Sequence, residues 1–441
     1  MRNVIMISTD QQQANAIGCV DPSYFTPNLD RLLERSVRFT GAISTSAQCT
    51  PSRATWMTGK FPHQVGVYQI GHVLDPHDWS IAKEFNQAGY ETVYFGKWHL
   101  GLSPADHEFR ITDYRTDGTE QEGANPDPRF HSHKDARSTA QTLNYLEDYD
   151  GSKPFFLKLN WYMPHPNAPV DHPFELIERY ADRFPQEEMP IPESFYKDDL
   201  SGKPPFQRER SQKGESDLTE ELVRRDAQRY RAMLMLMDAY LGRIMDKLEA
   251  KNLLSNTAIL FTSDHGDMQG AHRLRLKGVL PYKELYNVPL LLKLPGAEPK
   301  RNVIPDLVST AAIAGTLLDA AGIAVPEACE GGSLLELLDR SEPPKDERVF
   351  FEHYKAYWGR HPMIGIQTRE WKYVYYLEDD LEEMYDLQAD PDEIRNVAGR
   401  PEFDEERLRL RQTVEAWWAD TGGFSRRAIE DPKSEWIART K

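Results

Sequence analysis

Gln48-Cys49-Thr50-Pro51-Ser52-Arg53-Ala54-Thr55-Trp56-Met57-Thr58-Gly59 is the stretch around which the chain is organised. Pro51 fits the first turn of a helix, where its missing N–H removes no bond. Ser52 to Met57 can continue that helix and Gly59 can end it. The spacing predicts Cys49 just before the helix N-terminus, where unpaired backbone N–H groups and the helix dipole favour an anion. Arg53 follows one turn later, within reach of the same spot. A lone Cys-Pro neighbourhood is most often a small buried hydrophobe. The stretch therefore gains meaning only from what surrounds it.

Four other stretches end short apolar runs in polar residues. Val4 to Thr9 reads as a buried parallel strand and is followed by Asp10-Gln11. Thr92 to Phe95 runs into Gly96-Lys97-Trp98-His99-Leu100-Gly101, and the strand ending at Asn160 runs into Trp161-Tyr162-Met163-Pro164-His165-Pro166. Thr257 to Thr262 leads to Ser263-Asp264-His265-Gly266-Asp267-Met268, with Leu276-Lys277-Gly278 downstream. In open α/β sheets ligands gather beyond the carboxyl ends of strands, so these residues are candidates for one shared site. Two acidic strand ends on one edge can share an ion. Taken singly, Asp10 could be a helix cap, and Lys97, His99 and His165 could be incidental loop residues.

In combination and order these motifs resemble those of the sulfatase family, the formylglycine-dependent enzymes of the alkaline-phosphatase-like superfamily. The resemblance covers nearly the whole chain. It implies that Cys49 is oxidised to formylglycine by a sulfatase-maturing enzyme, and that the hydrated aldehyde attacks the sulfur of a sulfate ester. It implies one divalent cation on Asp10, Gln11, Asp264 and His265, together with the modified Cys49. Oxygen-rich ligands fit Ca2+ first and Mg2+ next, and the histidine nitrogen leaves Mn2+ open. Arg53, Lys97 and Lys277 would complete a positive pocket. His99 would act on the formylglycine hydroxyl as the base that expels sulfate, and His165 with Lys277 would serve the leaving alcohol. Two departures stand out: Gln11 occupies a position where the common pattern has a carboxylate, and Phe95 one where it has a smaller apolar residue. Choline-sulfatase-like and phosphonate-monoester-hydrolase-like branches share the glutamine. A phosphonate monoester or phosphodiester hydrolase on the same scaffold is thus the alternative, and a non-catalytic sulfoglycan-binding protein is a third reading if Cys49 stays a thiol.

Composition narrows the partners. The chain has 441 residues, 39% hydrophobic and 28% charged, with a net charge of −17. That balance is typical of a globular protein and disfavours nucleic acid, which needs a basic face. It also disfavours a long sulfated polymer, so a small-molecule or oligosaccharide sulfate ester attacked at its end is expected. Cys19, Cys49 and Cys329 are too few for a disulfide framework. No run reaches transmembrane length, and Val4 to Ile7 is too short for a secretory leader. A cytoplasmic protein is expected, or a periplasmic one if a leader precedes this sequence. A homo-oligomer stays open.

The expected fold is α/β: a large, mostly parallel sheet sandwiched by helices in a catalytic domain over 1–345. A smaller α+β subdomain on an antiparallel sheet follows over 346–441. Strands are predicted at Val37–Thr40, Val288–Leu292, Val349–Phe351, Met363–Ile366 and Trp371–Tyr376. Helices are predicted near Thr26–Leu33, Trp79–Ala88, Ser138–Leu146, Glu220–Ala250, Ile304–Ala321 and Phe403–Trp418. Residues 102–135 and 170–219 read as irregular loops at the site mouth, and 422–441 has no clear pattern. Met384-Tyr385-Asp386-Leu387 resembles the closing segment of bacterial sulfatases.

Overall fold

The computed structural model describes residues 2–116, 134–166, 180–213, 218–296, 301–340, 347–356 and 359–423. Parts of the expected loops at 102–135 and 170–219, the tail from 424 and the expected domain boundary near 345 fall outside these. A seven-stranded sheet has the order β3-β4-β1-β5-β6-β2-β7. Its strands are β1 (Asn3–Thr9), β2 (Val37–Ile43), β3 (Glu91–Gly96), β4 (Phe155–Asn160), β5 (Thr257–Ser263), β6 (Leu290–Lys293) and β7 (Val303–Ser309). Among the described residues only β6 runs against its neighbours; the other pairings are parallel.

β1 is buried along its whole length because helices cover both faces, which is why its sequence is a continuous apolar run. Ile5 and Ile7 pack with α1 (Pro27–Glu34), α4 (Lys134–Asp148) and α5 (Glu220–Ala250). Val4 and Met6 face the opposite layer, with α2 (Cys49–Thr58), α3 (Ile81–Gln87) and α6 (Ile313–Ala321). α5 begins and ends where the apolar spacing predicted.

The expected helix over Ile304–Ala321 is corrected by the structure. Its first part is edge strand β7, with alternating burial from Val303 to Ser309, and only Ile313–Ala321 is α-helical. Pro305 cannot donate to a ladder, and an edge strand is where a sheet tolerates it. Residues expected to be irregular near 200 include short helices at Glu193–Lys197 and Pro205–Lys213.

The second sheet is antiparallel, in the order β11-β10-β9-β8. It comprises β8 (Arg348–Ala356), β9 (Gly359–Thr368), β10 (Trp371–Tyr376) and β11 (Leu381–Asp386). The closing segment at 384–386 is thus part of β11. One face packs on α7 (Asp404–Asp420) through Leu410, Val414 and Trp418. The other shares a buried cluster with Met268, Leu280, Tyr282 and Tyr286. The small sheet therefore leans on the segment that carries Lys277. No helix among the described residues is long and apolar enough to cross a membrane.

Candidate active site

Strand register assembles the site before any side chain is considered. Thr9 pairs with Ser263, so Asp10 and Asp264 leave neighbouring strands side by side. Gly96 pairs with Asn160, which sets Lys97 beside the Trp161–Pro166 segment. Gly96 has φ 97°, and a Cβ there would lie 1.9 Å from the Asn160 carbonyl oxygen, so only glycine fits. β2 points the same way and delivers the loop to Cys49.

Cys49 is the first residue of α2, one position further into the helix than the spacing predicted; Gln48 caps it and Gly59 closes it in the left-handed conformation. The Cys49 thiol is buried, with Sγ 2.8 Å from Lys277 Nζ, 3.4 Å from His265 Nε2 and 3.7 Å from Asp10 Oδ1. Burial and Asp10 push this thiol up, but Lys277, Lys97 and His265 outweigh them and hold it well below its ordinary value. The position thus stabilises negative charge.

Each aspartate divides its two oxygens. Asp10 Oδ2 is paired with Lys97 Nζ and lies 3.2 Å from Arg53 Nη2. Asp264 Oδ2 accepts from Arg53 Nε at 2.9 Å. The Oδ1 atoms face inward: Asp10 Oδ1 is 4.0 Å from His265 Nε2, and Asp264 Oδ1 is 3.6 Å from it. Burial opposes ionisation of Asp10, yet Lys97 and Lys277, with His165 and Arg53, hold its carboxyl well below the usual range. Burial and Asp10 raise Asp264, with His265 and Arg53 offsetting part of that. The site thus carries paired rather than isolated charges, as burial requires.

Donor atoms from Asp10, Cys49, Asp264 and His265 lie within 4.8 Å of one another. His265 Nδ1 donates to the Gly266 carbonyl at 2.8 Å, which turns Nε2 toward the cluster as a ligand atom and fixes the ring, the usual support for a metal-binding histidine. Gln11 is held in the left-handed conformation at φ 74°. Its N–H donates to Asp264 Oδ1 at 3.1 Å and its Nε2 to Asp267. Its side-chain oxygen is buried without a partner. Two carboxylates and an imidazole that converge, with the unpartnered Gln11 oxygen next to Asp10 in the chain, suit a hard divalent cation, so these residues fit one.

The remaining expected residues divide. Lys277 is 3.6 Å from Asp10 Oδ1; burial works against its charge, and Cys49, Asp10 and Asp264 more than restore it. The Lys97 ammonium also lies 5.5 Å from the Tyr162 ring centroid. The Lys97 carbonyl accepts from Tyr94 at 2.6 Å, Asn160 at 3.0 Å and Arg53 at 3.2 Å, so its loop is pinned. His165 sits in the field of Asp10, Cys49, Lys97 and Lys277; burial, then Lys277, push its imidazole down to about 3. His99 is not bonded into the cluster, and its Nδ1 is buried without a partner.

Asp135 is a site residue that the sequence reading passed over. It lies in the first turn of α4, and its carboxylate accepts the N–H groups of Tyr162 at 2.7 Å and Met163 at 2.9 Å. It therefore holds the segment that bears His165. Burial pushes it up to about 7 against those two bonds. Ser44 and Ser52 do similar service for Asp264, donating to its carbonyl at 2.7 and 2.8 Å. An acid in a first helical turn was the available signal for Asp135; which N–H groups it meets is set only by the fold.

The sequence matches the sulfatase family over residues 2–323. The chain belongs to that family. Residues 270–419 also match the C-terminal region of N-sulphoglucosamine sulphohydrolase. An ulvan-active sulfatase of Formosa agariphila is 29% identical over 91% of this chain and 78% of its own length. An N-acetylglucosamine-6-O-sulfatase of Bacteroides thetaiotaomicron is 27% identical over 94% of this chain and 85% of its own. A solved structure of a protein in complex with its substrate D-glucosamine-2-N,6-O-disulfate superposes with a TM-score of 0.79. It is 23% identical and is matched over 95% of this chain and 98% of that one, a likeness of fold. This sulfatase is a sulfuric ester hydrolase on an alkaline-phosphatase-like α/β fold.

Proposed function

We propose that this sulfatase hydrolyses the sulfate monoester of a sugar or another small alcohol, with formylglycine made from Cys49 as nucleophile. The observation that carries the proposal is the convergence of Arg53, Lys97 and Lys277 with the four donors Asp10, Cys49, Asp264 and His265 around one buried point. A divalent ion, Ca2+ by the oxygen-rich donor set, would be held by Asp10, Gln11, Asp264 and His265; it supplies Lewis-acid polarisation of the sulfuryl group. The overall reaction is R–O–SO3− plus water giving R–OH and hydrogen sulfate.

The residues divide the work. Lys97 and Lys277 bind sulfuryl oxygens, and Arg53 fixes the two aspartates. The departing oxygen takes its proton from the Lys277–His165 pair. General acid help of this kind is worth roughly a hundred- to ten-thousandfold. His99 would take the hydroxyl proton of the hydrated aldehyde as sulfate leaves. Carbohydrate sulfate is supported by the relatives that act on ulvan and N-acetylglucosamine sulfate and by the glucosamine disulfate in the fold neighbour. Comparing kcat/KM for matched aryl sulfate and phenylphosphonate esters tests the reading. A sulfate preference is expected; a tenfold preference for phosphonate, about 1.4 kcal/mol in the transition state, would overturn it.

A further inference from the structure

β8 crosses directly over the loop that leads to Cys49. The Glu352 N–H donates to the Thr45 carbonyl at 2.9 Å, and Gln48 Nε2 donates to the Lys355 carbonyl at 3.0 Å. These two bonds bracket His353. Side chains alternate along a strand, and on β8 Val349 and Phe351 belong to the cluster shared with residues 268–286. His353 has the same parity, so it projects toward the segment bearing Lys277. Its neighbour Glu352 turns the other way and binds the His63 N–H at 2.7 Å and His63 Nδ1 at 2.6 Å.

His353 is 0% exposed, and among the described residues neither ring nitrogen makes a hydrogen bond of ordinary geometry, although the Lys355 backbone acts on the ring. Two orphaned nitrogens in a buried ring are costly. The charged and titratable groups that act on the ring are His265, Lys277 and Arg210. Burial, reinforced by these cations and opposed by the Lys355 backbone, pushes it down to about 3; a histidine in either protonation state keeps at least one ring N–H to donate. A donor or acceptor arriving with substrate would meet that capacity.

We propose that His353, supplied by the small antiparallel sheet, is a substrate-binding residue whose imidazole N–H bonds an oxygen of the sulfuryl group seated against Lys277. The assignment rests on the proposed reading of the site as a sulfate-ester pocket. It gives the C-terminal sheet a chemical part in the reaction as well as a packing one, and it makes the β8 bonds to Thr45 and Gln48 the means of aligning the two.

The test uses the metal-loaded, matured protein with inorganic sulfate as probe, and His353→Leu, His353→Ala and His353→Asn variants. The Leu and Ala variants remove the donor; Asn keeps an N–H near the Nδ1 position. Sulfate is expected to raise the Tm of the wild type, with its Kd weakened about tenfold or more in Leu and Ala and largely recovered in Asn. KM for an aryl sulfate should rise in step, with a smaller change in kcat. Without sulfate, the Tm of the Leu variant should equal or exceed that of the wild type, because the orphaned nitrogens leave the core. Wild-type sulfate affinity in the Leu or Ala variant overturns the proposal. So does a wild type that gives no sulfate-dependent shift, or failure of both variants to fold, which would mark the ring as structural. A His353-dependent sulfate shift in a protein that prefers phosphonate esters would sink the ester reading while leaving this inference in place.

Discussion

Around Glu383, beneath the small sheet, buried charge is answered from within the protein, whereas around Cys49 it is left partly open. Glu383 Oε1 accepts from Tyr376 at 2.5 Å and Gln207 at 2.7 Å, and Oε2 accepts from Tyr385. Lys203 donates to Tyr385 at 2.8 Å and to the Glu393 carbonyl at 2.6 Å, and it lies 3.3 Å from Asp198. Gln207 completes the set by accepting from Tyr282. At the carboxyl edge of the large sheet, by contrast, the Gln11 side-chain oxygen, His99 Nδ1 and both His353 nitrogens make no hydrogen bond of ordinary geometry among the described residues. Both clusters are buried and charged. The first spends its bonding capacity on holding the small sheet in place. The second keeps capacity for something that binds, and such unmet demands gather at functional sites.

That contrast can be broken most forcefully at Asp10. Asp10→Asn keeps the shape but removes a charged ligand and the partner of Lys97, so bound divalent metal and activity should fall together. A loss in kcat/KM of at least about a thousandfold, roughly 4 kcal/mol, is expected. Elemental analysis beside the assay checks it; full metal content would contradict the ligand assignment. Glu383→Gln should show the opposite pattern. It turns an acceptor of three donors into an amide, and unsatisfied buried donors cost about 1–3 kcal/mol. Denaturant unfolding should register about 2 kcal/mol of lost stability, with kcat/KM per folded molecule within about twofold of wild type. Asp135→Ala should give the smallest free-energy change of the three. Freeing the Tyr162 and Met163 N–H groups loosens the segment bearing His165, and kcat/KM should fall about tenfold, or about 1.4 kcal/mol, with Asp135→Asn recovering part. An unchanged kcat/KM would leave Asp135 with a packing role alone.

These two clusters were not equally legible in the sequence. The Cys49 cluster could be read because its members sit at strand ends in short motifs, where topology leaves little freedom: Asp10 and Asp264 must meet once β1 and β5 pair. Asp135, Ser44 and Ser52 escaped because they act through backbone groups far away in the chain, and no local spacing encodes a tertiary hydrogen bond. His353 escaped for the same reason: an imidazole within an apolar strand looks like core until its unmet bonds are seen. β7 was misread as helix because Ile304, Leu307 and Val308 satisfy helical as well as strand spacing in a short apolar run, and only its place at the sheet edge resolves the choice. The long α5 posed no such ambiguity, since thirty-one residues of consistent helical spacing exclude a strand.

The proposed chemistry requires Cys49 to be the precursor of the nucleophile. Peptide mass analysis of the active protein, over the peptide containing Cys49 to Arg53, addresses it directly. Active preparations should carry formylglycine or its hydrate in place of the thiol, in proportion to specific activity, and Cys49→Ala should be inactive. Full sulfatase activity in protein whose Cys49 remains an unmodified thiol would contradict the account.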